Sequence, residues 1–281
     1  MDELEIEVEK IDNVYKSLEL SNSLFNSEAE FLHQKRLVMD PFIFESLKKL
    51  YGAKLKKYWD ETPLPYQSDK AIVIVERRCN VNLEFVLHNF AYFARGYTIH
   101  IFCSRANLGF IQHICAAQID NIHIHIAFDT IGTPEEGKKD YNDLLKTKDF
   151  WDTFKEEHIL TAETDCYLIK PIPDSIYNYD YAASQWSWSP SEPGGGGLSY
   201  RKLSIMKKIC ALEDEKLHSI PMQDSFASKG ITLLGGKYSQ SYFTESMYST
   251  ENIGVHQWWT FYNINVSKYY ILRCLSFSGM I

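Results

Sequence analysis

Glu157-His-Ile-Leu-Thr-Ala-Glu-Thr-Asp-Cys-Tyr-Leu-Ile-Lys-Pro171 is the stretch on which the reading of this chain turns. Its short apolar run, Ile159 to Ala162, reads as a buried strand that delivers two acids, Glu163 and Asp165, at its end. Open α/β sheets bind ligands beyond the carboxyl ends of their strands. Side chains two apart on extended backbone point the same way, so these carboxylates can face one divalent ion or one polar substrate. The competing reading of an isolated Glu-Thr-Asp is a solvated turn, and the flanking sequence has to choose.

Upstream, the pattern is that of alternating strands and helices. Ala71 to Val75 is a continuous β-branched run, as in a strand buried on both faces, with Glu76-Arg77-Arg78 at its end. Asn82 can cap a helix carrying Leu83, Val86, Leu87, Phe90 and Phe93, which Gly96 closes. Tyr97 to Phe102 reads as a strand, Leu108 to Ala117 as a helix and Ile122 to Ile126 as a third strand. A loop from Gly132 to Gly137 then precedes a helix with Tyr141, Leu144 and Leu145. This order describes right-handed crossovers and a mainly parallel, Rossmann-type sheet flanked by helices. His123 and His125 alternate with isoleucines on the third strand; a two-His metal pair is conceivable, but a half-exposed strand face explains them without a third ligand. Arg77 and Arg78 can offer cations to a diphosphate, or form a solvated basic turn. The chain has neither Gly-x-Gly-x-x-Gly at this turn nor Gly-x-x-x-x-Gly-Lys anywhere, so a nucleotide here needs a metal to hold its phosphates.

The first 65 residues differ. Leu4, Val8, Ile11, Tyr15 and Leu18 form a short heptad seam, suited either to packing on its own domain or to pairing two subunits in a homodimer. Ser27 with Glu30 forms a capping box for a second helix, and Asp40-Pro41 reads as the N-cap and first residue of a third that stops near Trp59. Thr62 to Pro65 is a linker, which divides the chain into an N-terminal helical segment, 1–65, and an α/β domain, 66–281.

Composition narrows the class. The 281 residues are 45% hydrophobic and 14% aromatic, with 18 tyrosines and 16 phenylalanines, ample for a core. A net charge of −8 argues against nucleic acid as the partner. No apolar run approaches the roughly 20 residues of a membrane span, and the acidic start is unlike a signal peptide, so a cytoplasmic location is the default expectation. Cysteines 79, 103, 115, 166, 210 and 274 are scattered and read as free thiols.

Downstream of the acids, Gln185-Trp186-Ser187-Trp188 leads into Gly194-Gly195-Gly196-Gly197-Leu198-Ser199. Four glycines let backbone approach a ligand closely and then launch a helix, with Ser199 as a possible cap and Met206 and Ile209 on its apolar face. Asp224 follows a turn marked by Pro221, and Gly254-Val255-His256-Gln257-Trp258-Trp259 places a histidine in an aromatic loop.

Taken together, these pieces resemble glycosyltransferases of the GT-A fold, and look most like a bacterial and viral family of glycosyltransferase-like domains of unknown function. The resemblance is carried by Val75-Glu76 with Arg78, Leu83 to Leu87 with Asn89-Phe90, Tyr141-Asn142 with Leu144-Leu145, and Phe150-Trp151. It continues through Glu157 to Leu160, Thr164-Asp165, Tyr179-Asp180-Tyr181, Trp186, Gly196 to Ser199, Asp224, and Gly254-Val255-His256 with Trp259. It spans roughly residues 70 to 260 and leaves the first 65 unmatched. Glu163 stands where the family more often has an amide, and Gln223 where an acid commonly precedes the aspartate.

The resemblance implies a hexosyltransferase-type enzyme that moves a sugar from a nucleoside-diphosphate sugar, with a UDP-sugar favoured, to a hydroxyl of a glycan, protein or small-molecule acceptor. It implies Mn²⁺ or Mg²⁺ held by Asp165 and His256, with Glu163 direct or through water. Val75, Glu76, Arg78, Asn142, Gly196 and Gly197 would lie along the donor, Trp186 and Trp188 would stack on sugar faces, and Asp224 is the candidate general base. The other class left open is a nucleotide-sugar or glycan-binding protein without turnover. A metal-dependent nucleotidyltransferase would need a glycine-rich phosphate loop with a lysine, which the first strand lacks.

Overall fold

The computed structural model describes residues 2–261 and 267–280. Three helices open the chain: α1 (Glu3–Leu20), α2 (Glu28–Leu47) and α3 (Ala53–Glu61), the last two joined by a π-helical turn at Lys48–Gly52. Then follow β1 (Lys70–Glu76), α4 (Leu83–Phe93), β2 (Thr98–Ser104), α5 (Leu108–Ile114), β3 (Ile122–Phe128), α6 (Pro134–Leu145), α7 (Lys148–Asp152) and β4 (His158–Ala162). Past the acids come β5 (Cys166–Leu168), β6 (Tyr181–Ser184), β7 (Gly195–Lys202), α8 (Leu203–Cys210), α9 (Glu215–His218) and α10 (Gln223–Leu233). The described chain closes with β8 (Tyr238–Ser239), β9 (Phe243–Thr244), β10 (Gly254–His256), α11 (Trp258–Phe261) and α12 (Lys268–Leu275).

The strands form a seven-stranded sheet in the order β3-β2-β1-β4-β7-β6-β8 and a three-stranded one, β5-β10-β9. The first four strands of the large sheet are mutually parallel, as the crossover pattern requires, and β7 runs antiparallel between β4 and β6. This is the mainly parallel, helix-flanked α/β architecture expected. Alternation along β1 sends Ile72 and Ile74 to one face and Ala71 and Val73 to the other, and each face carries its own hydrophobic cluster. Among the described residues no helix is long and apolar enough to cross a membrane. All six cysteines are free, with Cys103, Cys115, Cys166 and Cys274 buried.

The N-terminal helices share the first of those clusters: Leu4, Val8, Ile11 and Tyr15 of α1, and Ile43, Phe44 and Leu47 of α2, are buried with Ile72, Ile74 and Trp259. The seam of α1 therefore meets its own chain, where it packs against α12. The break expected at Asp40-Pro41 does not occur, and α2 runs through it with Pro41 inside. Proline forfeits one helical hydrogen bond, that to the carbonyl of Leu37 four residues earlier, a residue on the exposed side of the helix. Asp40 does not cap; it accepts from the Trp259 indole at 2.6 Å and sits 3.5 Å from Arg36 Nε, so tertiary partners override the local signal.

Two other local expectations need correction. Thr133 and Glu136 form a reciprocal capping box, so α6 starts at Pro134 and takes in Gly137, which the sequence suggested was loop. Ser199 caps nothing: it lies inside β7, whose glycines begin a strand and not a helix, and its hydroxyl meets Thr161 Oγ1 at 2.8 Å.

Candidate functional site

The two acids leave β4 where the large sheet hands over to the small one. Glu163 follows β4, and Asp165 directly precedes β5. Antiparallel pairing sets His256, the last residue of β10, opposite Cys166, and so beside Asp165. His256 Nε2 lies 3.3 Å from Asp165 Oδ1 and 3.8 Å from Glu163 Oε2. One ligand atom from each of the three residues falls within 4.8 Å of the others. Sequence reasoning named these residues, and the tertiary structure brings them together.

Four further groups surround them. Glu245 Oε1 sits 2.7 Å from His256 Nδ1 and fixes the ring, aiming Nε2 at the acids. The Gln257 amide is 2.8 Å from Nε2. Arg36, on α2, reaches Asp165 Oδ2 with a terminal nitrogen at 2.5 Å. The Tyr141 hydroxyl faces Glu163 from α6. Glu245 and Arg36 escaped the sequence reading: Glu245 stands in no motif, and Arg36 belongs to the segment outside the resemblance.

The charges pull against one another. Burial lifts the Asp165 pKa, but His256 and Arg36 outweigh it and hold the carboxyl below its ordinary value. For Glu163, burial and the Asp165 charge dominate and the pKa rises. Burial opposes charge on His256, yet Asp165 and Glu245 outweigh it, and its pKa stands well above the usual imidazole value.

The glycine strand makes room for this cluster. A Cβ on Gly197 would lie 2.5 Å from His256 Nε2 and 2.7 Å from Glu163 Cδ, and one on Gly195 would lie 2.4 Å from Trp186 Cζ2 and 2.7 Å from Asp224 Cβ. Gly196, between them, has φ +113°, which side-chain-bearing residues rarely adopt. The backbone is thus pressed against the acid–histidine cluster at one residue and against Asp224 two residues earlier. Two residues of strand span about 6–7 Å.

Asp224 opens into a cleft of about 450 Å³ that Trp186, Trp188, Glu192, Met222 and Ser225 also line. It stands in the first turn of α10, where its Oδ1 accepts the Ser225 N–H at 2.7 Å. Burial nevertheless raises its pKa. Trp186 and Trp188 stack on each other, with ring centroids 6.0 Å apart and planes at 18°. Trp186 is buried and Trp188 exposed, so a flat apolar face is presented to the cleft mouth.

The remaining expected residues sit as follows. Glu76, at the end of β1 after the half-buried Val75, grips Arg78 through two bonds of 2.8 Å and takes the Thr164 hydroxyl at 3.2 Å. That bond ties the end of β1 to the loop between the two acids. Arg77 turns away, to Asp140 at 2.5 Å and Thr130 O at 2.9 Å. Asn142 donates to Lys138 O at 2.7 Å and accepts the Gln223 N–H at 2.7 Å, which anchors the start of α10 and hence Asp224. Arg201 is fully buried on the same strand: its Nε meets Ser199 Oγ at 3.0 Å, and both terminal nitrogens lack hydrogen-bond partners. A second cavity, of about 410 Å³ with Lys70, Tyr92, Arg95, Tyr97 and Tyr177 in its wall, contains none of these groups.

Among solved structures, the chain is similar to a cytidylyltransferase from Leptospira borgpetersenii serovar Hardjo-bovis (strain JB197), with TM-score 0.41 and 13% identity over 62% of this chain and 75% of that one. It is also similar to the apo-form glycosyltransferase GlyE of Streptococcus pneumoniae TIGR4, with TM-score 0.44 and 9% identity over 74% of this chain and 63% of that one. A further structure of GlyE aligns with TM-score 0.40 and 10% identity over 62% and 45%. The chain thus spans less than two thirds of either glycosyltransferase structure. No curated protein matches the sequence. One family model matches residues 125–265, a stretch that contains Glu163, Asp165, Trp186, the glycine strand, Asp224, Glu245 and His256. The chain belongs to that family, DUF5672, whose description is "protein of unknown function".

Proposed function

We propose that this protein is a divalent-metal-dependent glycosyltransferase that takes a sugar from a nucleoside-diphosphate sugar, with UDP as the favoured nucleotide. The observation that carries the reading is the convergence of Glu163, Asp165 and His256 at the carboxyl end of β4, one glycine strand away from Asp224 and the tryptophan cleft.

The residues fit a hard or borderline cation. Two carboxylates and an imidazole are a donor set for Mn²⁺ or Mg²⁺. Asp165 Oδ1 is buried without a hydrogen-bond partner, since its 3.3 Å approach to His256 Nε2 does not meet hydrogen-bond geometry. Gln257 Oε1 is likewise orphaned beside the ring. Unsatisfied buried acceptors are costly, and a cation relieves that cost. When bound, the ion neutralises negative charge that grows on the leaving diphosphate.

The chain's own residues supply the rest. Asp224, with its pKa raised by burial, is poised to take the proton of the acceptor hydroxyl as that oxygen attacks the anomeric carbon and the bond to the diphosphate breaks. Attack assisted by a base on the opposite face gives an inverting displacement. The indole face of Trp188 at the cleft mouth suits the apolar side of a pyranose. Glycine backbone lets the donor lie against β7 without a side chain between.

A thermal-shift screen of UDP and UDP-sugars, with and without Mn²⁺, tests this. Saturation at about 100 times Kd adds about 2.7 kcal/mol, or roughly 5–10 °C in a domain of this size. Stabilisation that needs the metal is expected, and indifference to every nucleotide sugar would end the donor-site reading. Asp224→Asn should keep that stabilisation and lose transfer, whereas normal transfer would remove Asp224 from the role of base.

A further inference from the structure

The molecule holds a second convergence of metal-ligating side chains, at a distance from the acids just described and built on other strands. His100 of β2 and His123 of β3 are cross-strand partners in the parallel register, and His125 lies two residues along on the same face. Glu156, two residues before β4, completes the group: His100 Nε2 sits 3.1 Å from its Oε1. His100 Nδ1 meets His125 Nε2 at 3.1 Å. One ligand atom each from His100, His123 and Glu156 lies within 4.8 Å of the others.

This does not look like a solvated strand face. His100 and Glu156 are only 5% and 6% exposed, and the His100 and His123 rings stack with centroids 4.4 Å apart. Thr98 Oγ1 donates to Glu156 Oε1 at 2.9 Å, and the Lys155 N–H to Oε2 at 3.0 Å, so the carboxylate is held in place. His123 Nε2 lies 3.1 Å from Tyr66 O. A carbonyl can only accept, so that nitrogen carries the proton and the neutral ring keeps its lone pair on Nδ1. Outer partners of this kind orient metal ligands. β3 is the edge strand of the sheet, and His123 and His125 are half-buried there, which gives an ion a way in. His100 donates from Nε2 to Glu156, so its Nδ1 lone pair faces His125 Nε2, and ion binding requires these bonds to open and the rings to turn toward a common point.

We propose that His100, His123 and Glu156, with His125 as a fourth donor within reach, form a binding site for a Zn²⁺-class transition-metal ion. Imidazole-rich sites with one carboxylate favour Zn²⁺ over Mg²⁺ or Ca²⁺, whereas the Glu163–Asp165–His256 set leans to oxygen. A divalent ion also brings a countercharge to a carboxylate that is otherwise buried among imidazoles. The inference is independent of any sugar transfer.

The test uses the full chain, stripped of metal, with Asp165→Asn and His256→Ala introduced together so that the other cluster is silent. Zn²⁺ titration by calorimetry, and the visible absorption of Co²⁺ as a substitute, are then read on this background and after adding His123→Ala. One equivalent of Zn²⁺ is expected on the background, weakened by His123→Ala by at least the roughly 10- to 100-fold that loss of an outer partner alone costs. His123 is half-buried, so the protein should stay folded. Glu156→Gln is the second variant: it keeps the size and the Thr98 bond but removes the charge, and should also weaken Zn²⁺. No Zn²⁺ binding on the background, or binding that neither variant weakens, would overturn the proposal.

Discussion

Two clusters of imidazole and carboxylate, one where the two sheets meet and one on the large sheet alone, differ in almost every respect that matters for a metal. Glu163, Asp165 and His256 gather beyond the carboxyl end of β4, where the chain passes from one sheet to another and glycine backbone presses close. His100, His123 and Glu156 gather toward the amino-terminal part of parallel strands, at the sheet's edge, with aromatic rings stacked around them. The first set is rich in oxygen, contains an orphaned acceptor and borders a cleft. The second is rich in nitrogen, has its carboxylate already hydrogen-bonded and adjoins the packed ring of Phe154. Position relative to strand ends, more than residue type, separates a site that can meet a large substrate from one suited to an ion alone.

The comparison breaks most sharply at Asp165. Asp165→Ala should abolish Mn²⁺-dependent nucleotide-sugar binding and lower transfer by about 10³-fold or more, the scale of several kcal/mol of lost charge stabilisation, while leaving Zn²⁺ at the histidine cluster untouched. Calorimetry with both metals on one variant checks it, and loss of both would show that the clusters are not independent.

Next in size is Gly197→Ala. Its Cβ would fall 2.5 Å from His256 Nε2, so overpacking should cost about 1–3 kcal/mol in urea denaturation and weaken Mn²⁺ without affecting Zn²⁺. Gly137→Ala is the control, since an added Cβ there meets nothing within 4 Å in α6, and it should be neutral or stabilise by about 0.4–1 kcal/mol.

Arg36 sharpens the contrast because it already sits on Asp165. Arg36→Ala should lower the metal-free melting temperature by a few degrees, roughly 1 kcal/mol, by leaving a buried carboxylate less compensated. The same change should enlarge the stabilisation that Mn²⁺ provides, as a competitor for Oδ2 is gone. An unchanged metal increment would mean that Arg36 and the ion do not compete.

The smallest effect concerns a buried acid in neither cluster. Glu7 of α1 has burial raising its pKa, but bonds from Lys10, Lys49 and Ser46 outweigh that and bring it down from 4.5 to about 2. A carboxyl depressed in the folded state adds stability above its unfolded pKa and loses it as pH falls through the folded value. The contribution should therefore fade between about pH 4.5 and 2. Glu7→Gln should flatten the melting-temperature profile over that window, and an identical profile in the variant would count against the lysine bonds.

Much of the fold was legible because its signals are local. β-branched runs with short helical patterns between them state a parallel sheet, and the strands and helices proposed between residues 71 and 162 exist near their expected limits. Local reading failed where a tertiary partner outbid a local one. Asp40 spends its carboxylate on Trp259 and Arg36 instead of capping a helix, and the glycines before Ser199 open a strand that pairs with β6 through Gly195 and with β4 from Leu198 on, instead of launching a helix. The site followed the same division. Asp165, Asp224 and His256 were named from short motifs, but Glu245 and Arg36 come from positions with no motif around them, and their places depend on chain closure across many residues.

By itself the sequence determined the order of strands and helices from β1 to β4, the acids at the end of β4 and a run of bare backbone downstream, because periodicity and steric allowance act over a few residues. Only the tertiary structure decided which carboxylates share an imidazole, that α2 sends an arginine to Asp165, and that three histidines and a glutamate meet at an edge strand. Those outcomes depend on strand register and sheet order, which long-range packing sets and no short window of residues contains.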